Sequence, residues 1–256
     1  MGRNYTTILR GEVGSGAHGV AIPGTDDRDE MGVVIESYKD AVTLGMPFEH
    51  FIFRTAEERT GKNDAPSQPG DLDLTLYSLK KYLRLVLSGN PSVLLPLFLP
   101  RDLLTVCTPE GEELRALSDK IVSKKAIWAF YHYLRAQKGK LMGERGTRIH
   151  RPKLVEKHGY DTKFAMHALR LGLQGIELAH TWKLTLPMEP YQQLFLLDVR
   201  RGQISLDEVV DHITYLENVL LELTKTSKLP DGPDREAVES WMRDVYWLAW
   251  KAECGS

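Results

Sequence analysis

Acidic residues in the N-terminal third of the chain have the spacing of a site for a divalent cation. Asp27 and Asp29 are separated by one residue within the run TDDRDE. Because alternate residues of an extended strand point to the same side, these two carboxylates are predicted to lie together. Carboxylates this close repel each other, and they supply the hard oxygen ligands that Mg²⁺ prefers. The flanking acids, Asp26 and Glu30, are expected on the opposite face, in solvent.

A third carboxylate is expected from a neighbouring strand. The segment DLDLTLY offers Asp71 and Asp73, and we favour Asp73 because it stands closer to the helix that follows. Cations held by such a set stabilise the attacking and leaving oxygens of nucleotidyl transfer. The pair Asp27 and Asp29 taken alone is equally typical of a solvated acidic loop.

A glycine-rich turn precedes the acidic run and has two interpretations. Residues Gly14–Gly19 read GSGAHG and satisfy the pattern GxGxxG of dinucleotide-binding folds, and Glu36 fits the acidic residue expected about 20 positions on. That fold needs a long helix directly after the glycines, but Pro23 and Gly24 interrupt the segment. In the alternative, which we favour, Gly14 and Ser15 form a tight turn whose backbone N–H groups face a triphosphate.

Composition excludes several classes of protein. The chain has 256 residues, 42% hydrophobic and 27% charged, with a formal net charge of −2, so no global charge demands a nucleic-acid or membrane partner. Cys107 and Cys254 lie far apart and favour a reducing compartment over a disulfide scaffold. No signal-like or membrane-spanning run is recognisable, so a cytoplasmic location without membrane contact is expected.

Hydrophobic periodicity predicts an α+β fold, in which a small mixed sheet is followed by a helical half. Short β-prone runs separated by Gly, Pro and Asp fill the first part; they cover 6–9, 32–35, 50–54 and 72–77. Helical spacing dominates from Leu79 onward, with candidate helices at 124–138, 162–181, 206–226 and 235–251. The domain boundary is placed between residues 95 and 96, which gives a catalytic domain 1–95 and a helical domain 96–256. The polar segment 59–70 is predicted to be a mobile loop.

Three stretches of the chain resemble a bacterial and phage group of predicted nucleotidyltransferases in the DNA polymerase beta superfamily. They are GSGAHGVAIPGTDDRDEMGVV, DLTLYSLKKYLRLVLSGNPSVLLPLF and KHGYDTKFAMHALRLGLQGIELA. The resemblance covers most of residues 11 to 180. It implies a nucleotidyltransferase core with a helical domain completing the nucleotide cleft, a nucleoside triphosphate as substrate, and Mg²⁺ or Mn²⁺ at Asp27, Asp29 and Asp73.

The helical half carries cations that the resemblance assigns to the nucleotide. Asp161 can cap a helix on which Lys163, His167 and Arg170 fall at i, i+4 and i+7, along one stripe. The resemblance implies that Lys163 and Arg170 neutralise phosphates and that His167 donates a hydrogen bond. A solvated cationic surface is the alternative. The basic segment 138–157 is open to two interpretations as well: contact with an acceptor, or a flexible connector.

The chain departs from the family pattern at two positions. The family carries a Glu soon after its Asn-Pro motif, whereas this chain continues from Asn90-Pro91 to Leu94, Leu95 and Pro96. Asp26 stands where the family has Ser or Thr, which opens the question of which acids bind metal; the Gly32-Val33 pair fixes the spacing in favour of Asp27 and Asp29.

Two hypotheses about function follow. The first is metal-dependent transfer of a nucleoside monophosphate from a nucleoside triphosphate to a hydroxyl acceptor, with release of pyrophosphate. The acceptor is RNA, DNA, a protein or a small molecule. The second is a catalytically silent nucleotide-sensing or nucleic-acid-binding module on the same scaffold. A homo-oligomer is compatible with both, and the aromatic C-terminal segment is a candidate contact between copies.

Overall fold

The computed structural model describes residues 5–24, 26–144 and 151–254. Its architecture is α+β, as the periodicity predicts: a five-stranded mixed sheet in the N-terminal part and helices in the C-terminal part. The strands are β1 (Tyr5–Val13), β2 (Arg28–Glu36), β3 (His50–Arg54), β4 (Leu72–Ser78) and β5 (Leu104–Cys107). Their order across the sheet is β3-β4-β2-β1-β5.

The helices alternate with the first strands and then run consecutively. They are α1 (Gly14–His18), α2 (Tyr38–Ala41), α3 (Thr55–Thr60), α4 (Leu79–Leu87), α5 (Leu95–Phe98), α6 (Pro109–Ala116), α7 (Ser118–Ile121), α8 (Lys124–Leu141), α9 (Pro152–His158), α10 (Thr162–Thr181), α11 (Pro190–Arg200), α12 (Leu206–Thr226) and α13 (Arg235–Cys254). A 3₁₀ turn covers Arg101–Leu103. Among the described residues, none of these helices is long and apolar enough to cross a membrane.

The central strand β2 is buried along most of its length. Residues 30 to 36 are all buried, as expected for a strand with neighbours on both sides and helices on its faces. β2 runs parallel to β4 and antiparallel to β1. An antiparallel β1–β2 pair is incompatible with the βαβ unit that the dinucleotide-binding interpretation requires, so that interpretation is wrong.

Strand β4 shows the alternation that orients one of the predicted site residues. Leu74, Leu76 and Ser78 are buried, while Asp73 and Thr75 on the alternate positions are half-buried. The period of two matches a strand with one face on the core and the other partly open. Asp73 therefore points away from the core face of its strand.

Contacts divide the chain into two compact units. The first comprises residues 1–87, 92–121 and 233–256, and the second comprises 88–91 and 122–232. The C-terminal helix α13 belongs to the first unit, where the Tyr246 hydroxyl donates to Glu36 Oε1 at 2.9 Å and the Trp250 indole N–H donates to the Glu36 carbonyl at 3.0 Å. The predicted functional boundary between residues 95 and 96 stays a prediction.

The second unit is a helical assembly whose long helices begin at local capping residues. Helices α8, α10 and α12 pack against one another. The Asp161 carboxylate accepts the N–H groups of Lys163 and Phe164 at 3.1 and 3.2 Å, which confirms the predicted cap of α10. Ser205 and Glu208 form a capping box at the start of α12. Both helices keep the predicted bounds.

Candidate metal centre

The parallel pairing of β2 and β4 brings the predicted carboxylates together. Asp29 lies opposite Asp73 in the register of the two strands, and Asp27 immediately precedes β2. One carboxylate oxygen from each of Asp27, Asp29 and Asp73 lies within 4.8 Å of the others, and all three side chains are partly exposed. Asp73 thus joins two carboxylates that precede it by more than 40 positions in the sequence. The spacing-based choice of Asp73 over Asp71 agrees with this geometry.

The glycine turn lies directly against this cluster. Val13, the last residue of β1, pairs with Asp29, and Gly14 follows with φ +69°. A Cβ atom on Gly14 would lie 2.1 Å from Asp29 Oδ2, so a side chain at this position would displace the carboxylate. Ser15 belongs to the single-turn helix α1, and its carbonyl accepts the Val20 N–H at 3.0 Å. The predicted turn at Gly14 and Ser15 is therefore present and abuts a cluster residue.

Neighbouring acids have other partners. The Asp26 carboxylate accepts the Ile22 N–H at 2.7 Å and thereby closes the loop before β2. Asp71 forms a two-pronged ion pair with Arg59 at 2.6 and 3.0 Å. This guanidinium, together with the Gln68 N–H, lowers the pKa of the Asp71 carboxyl. Asp26 and Asp71, which residue spacing alone does not separate from the cluster, therefore have structural contacts of their own.

Glu30 corrects one expectation. The sequence predicts a solvated side chain, but Glu30 is only 4% exposed and pairs with both Arg10 and Arg28. The strand β2 is central, and therefore both of its faces are covered, which alternation within a single strand does not reveal.

Two residues around Asp73 were not identified from sequence. Arg54 lies opposite Asp73 in the β3–β4 register, and its Nε–H donates to Asp73 Oδ2 at 3.2 Å. The Ser67 hydroxyl lies 3.2 and 3.1 Å from the two oxygens of the same carboxylate. The only available signal was the pairing of the strands, because 19 residues separate Arg54 from Asp73 in sequence.

The donor set fits a hard divalent cation. Three carboxylates offer oxygen atoms, which suit Mg²⁺ and Mn²⁺ better than softer metals that prefer nitrogen or sulfur. Mutual repulsion among three acidic groups is relieved most directly by a cation between them. The cluster can therefore hold a metal ion, and Asp27, Asp29 and Asp73 are the residues that would do so.

The predicted cations of the helical half lie in the second unit, and one of them is buried. Arg170 on α10 is 8% exposed, and its Nη1–H donates to the neutral Gln174 Oε1 at 2.8 Å. Its Nε has no hydrogen-bond partner within the described part of the chain. Burial lowers the pKa of this guanidinium to about 10. The alternative of a solvated surface is therefore wrong for Arg170.

His167 lies in a positive electrostatic environment. Burial lowers its pKa to about 3, and the charges of Arg170, Arg151, Lys163 and Arg200 act in the same direction. His167 is consequently neutral near pH 7. Arg151 and Arg200 were not identified from sequence, since they lie on other segments than α10. We refer to these five residues, Arg151, Lys163, His167, Arg170 and Arg200, as the cationic cluster.

Several residues of the other basic segments pair with acidic side chains. Lys81 and Arg84 on α4 both pair with Glu49, at 3.0 and 3.3 Å. Lys138, at the start of the basic segment 138–157, donates to Glu217 at 2.8 Å. Residues 145–150 of that segment lie outside the described residues, so its predicted role as acceptor contact or connector stays open.

The family-specific positions after Asn90-Pro91 belong to the core. Leu94, Leu95 and Pro96 are all buried at the start of α5, where the family pattern has its Glu. The Asn90 side-chain amide donates to the Tyr133 hydroxyl at 3.0 Å. These positions therefore contribute to apolar packing in this chain.

Comparison with known proteins agrees with the site. Residues 2–244 match the family model RlaP, described as the RNA repair pathway DNA polymerase beta family. No curated protein matches the chain. The matched range contains every site residue predicted from sequence, in both units.

Proposed function

The chain belongs to the RNA repair pathway DNA polymerase beta family, and on that premise we propose that it is a metal-dependent nucleotidyltransferase. In the proposed reaction an acceptor hydroxyl attacks the α-phosphorus of a nucleoside triphosphate. The bond from that phosphorus to the bridging oxygen breaks, and pyrophosphate leaves with the electron pair. The observation that carries the proposal is the convergence of Asp27, Asp29 and Asp73 within 4.8 Å.

Mg²⁺ or Mn²⁺ is the proposed cofactor. Asp27 and Asp29 would hold the cation together, and Asp73 would help to bind the metal that activates the acceptor hydroxyl. When bound, the cation stabilises charge on the attacking and leaving oxygens. The chain's own contribution is positioning: the β2–β4 register fixes Asp29 beside Asp73, and the absent side chain of Gly14 leaves room for the Asp29 carboxylate.

The proposed nucleotide-binding residues are Gly14 and Ser15 at the turn and Lys163, His167 and Arg170 on α10. The buried Arg170 guanidinium donates to a neutral amide, and its Nε has no hydrogen-bond partner among the described residues. Such a group favours an anion, and phosphate oxygens match its planar fork. A neutral His167 can donate one hydrogen bond to phosphate without adding charge. We extend the phosphate-binding set to Arg200, whose charge acts on His167. Arg151 also acts on His167, but it is already paired with the Asp161 carboxylate at 3.2 Å.

For the choice of acceptor, the only guide is the family's description, which names RNA repair. An RNA end that carries a free hydroxyl is therefore the first acceptor to test, followed by DNA, protein and small molecules. The identity of the transferred nucleotide and a homo-oligomeric state both stay predictions to be measured.

The test is label transfer from α-³²P-labelled triphosphates. Each of the four nucleotides is incubated with the acceptor series and Mg²⁺, and both labelled product and released pyrophosphate are quantified. We expect product and pyrophosphate in equal amounts from the wild type and neither from the Asp27→Asn/Asp29→Asn variant. Triphosphate binding without pyrophosphate release, whatever the acceptor, would instead support a silent nucleotide sensor.

A further inference from the structure

Arg54 at the end of β3 and Ser67 in the loop after α3 contact both oxygens of the third carboxylate. Arg54 Nε–H reaches Asp73 Oδ2 at 3.2 Å, and the Ser67 hydroxyl lies 3.2 Å from Oδ1 and 3.1 Å from Oδ2. Asp73 has a side chain 23% exposed, so these donors shield a carboxylate that solvent can reach. Asp73 is thus held by the protein at the atoms with which it would ligate a cation.

The same guanidinium also holds the loop that carries Ser67. Arg54 Nη1–H donates to the Asn63 carbonyl at 3.0 Å. Its Nη2 donates to the Ala65 carbonyl at 3.2 Å and to Ser67 Oγ at 3.0 Å. Four contacts from one planar group therefore connect Asp73 to the loop 61–70, which is the part of the predicted mobile segment 59–70 that follows α3.

A cation at Asp73 competes with these contacts for two physical reasons. Asp73 Oδ2 has two lone pairs and already faces both the Arg54 Nε–H and the Ser67 hydroxyl, so a cation that binds this oxygen at about 2.1 Å displaces one of the two donors. The cation also places positive charge beside the Arg54 guanidinium, which repels it. Cation binding and the full set of loop contacts therefore oppose each other.

We infer that Arg54 and Ser67 form a latch on Asp73, in which Arg54 is a positioning residue that links the order of the loop 61–70 to metal binding. The inference rests on the proposed function, because it takes Asp73 as a metal ligand. With the latch closed, Asp73 is held in place and the loop is ordered. With metal bound, the Ser67 contact is lost and the loop opens. Linkage makes the effect reciprocal: weakening the latch tightens metal binding, and metal binding loosens the loop.

The first measurement is Mn²⁺ binding by calorimetry to the wild type, Ser67→Ala and Gln68→Ala. Ser67→Ala removes the hydroxyl on Asp73 and keeps the backbone, so we expect Mn²⁺ to bind about fivefold more tightly. Gln68→Ala is the matched control. Its side chain is exposed, its backbone N–H remains bonded to Asp71, and its Mn²⁺ affinity should equal that of the wild type.

The second measurement is tryptic cleavage after Lys62, an exposed residue of the loop. We expect saturating Mn²⁺ to accelerate this cleavage several-fold in the wild type. Arg54→Lys keeps the charge but loses the planar fork to Asn63 and Ala65. We therefore expect rapid cleavage in Arg54→Lys even without metal, and a tryptic rate that Mn²⁺ changes little.

The outcomes separate the latch from the proposed function. If Mn²⁺ binds the wild type and Ser67→Ala with equal affinity, the latch is wrong while the metal site stands. The same conclusion follows if Mn²⁺ slows cleavage after Lys62. If neither protein binds Mn²⁺, the metal site itself fails and the latch fails with it. Binding by Ser67→Ala but not by the wild type is the strongest form of the expected result.

Discussion

The carboxylate cluster of the first unit carries negative charge that the protein compensates only in part. The cationic cluster of the second unit carries positive charge. The carboxylates are partly exposed and gather three negative charges, of which Arg54 compensates one. The cationic cluster includes a guanidinium, that of Arg170, which is nearly fully buried and bonded to a neutral amide. A buried charge without an opposite charge is destabilising, whereas exposed like charges cost little because water screens them.

This difference indicates what each region is built to bind. The carboxylate cluster suits a cation that enters from solvent, because its side chains are partly exposed. The register of β2 and β4 positions its residues. In the proposal the cationic cluster binds an anion; three of its residues lie on α10, Arg200 lies on α11 and Arg151 directly precedes α9. A nucleoside triphosphate and its divalent cation carry both of these charges, which agrees with the proposed function.

The largest expected effect comes from the carboxylate cluster. Asp29→Asn removes one ligand charge and should lower label transfer about 1000-fold. Thermal stability should stay equal or rise, because repulsion within the cluster decreases. The matched control is Asp26→Asn, since an amide oxygen can still accept the Ile22 N–H. A similar loss of activity in both variants would place the metal at other acids than we propose.

The next effect tests the cationic cluster. Arg170→Met keeps the length and apolar character of the buried side chain but removes the charge, so triphosphate affinity should fall about 10- to 100-fold. The free energy of unfolding should change by less than about 2 kcal/mol, since relief of desolvation offsets the lost bond to Gln174. Calorimetry with a non-hydrolysable triphosphate measures the affinity, and urea titration measures the free energy of unfolding. Lys153→Met, on the exposed side of α9, should leave affinity unchanged.

A third prediction concerns the contact between the turn and the cluster. Gly14→Ala should reduce the free energy of unfolding by about 1–2 kcal/mol and weaken Mn²⁺ binding, because the new Cβ meets Asp29 Oδ2 and φ is positive. Gly24→Ala is the matched control, with φ +75° and open space around its Cβ position. Gly24→Ala should share the backbone cost and keep Mn²⁺ affinity. If the wild type, Gly14→Ala and Gly24→Ala bind Mn²⁺ with equal affinity, the turn does not influence the metal site.

The smallest effect near neutral pH is a pH dependence of stability in the cationic cluster. The pKa of His167 is lowered in the folded state from 6.5 to about 3, so the unfolded chain binds the proton more readily. Stability should therefore fall as pH decreases below about 6.5, with a slope on the order of 1 kcal/mol per pH unit from this residue. His167→Asn should flatten that slope in urea titrations, and His180→Asn, exposed at the end of the same helix, should not. An unchanged slope in His167→Asn would contradict the buried, neutral state.

Local signals account for what the sequence predicted well. The caps at Asp161 and Ser205 fix the starts of α10 and α12, and the Gly14-Ser15 turn follows from its own residue types. These features depend on residues close together in the chain, where hydrogen bonding and alternation act directly.

The features that escaped prediction depend on distant pairing. Strand β5 is four residues long and exists through its pairing with β1, and the position of Arg54 beside Asp73 follows from the β3–β4 register. The burial of Arg170 and Glu30 likewise depends on which elements cover them. Periodicity gives the face of a residue on its own element, but it does not give the neighbour that covers that face.

Direct titration of Mn²⁺ tests the central claim, that Asp27, Asp29 and Asp73 form a metal centre. The measurement compares the wild type with Asp27→Asn/Asp29→Asn by calorimetry at neutral pH. We predict saturable binding to the wild type and a loss of at least about 100-fold in affinity in the variant, because two anionic oxygen ligands are removed. Equal Mn²⁺ affinity in the two proteins would contradict the claim.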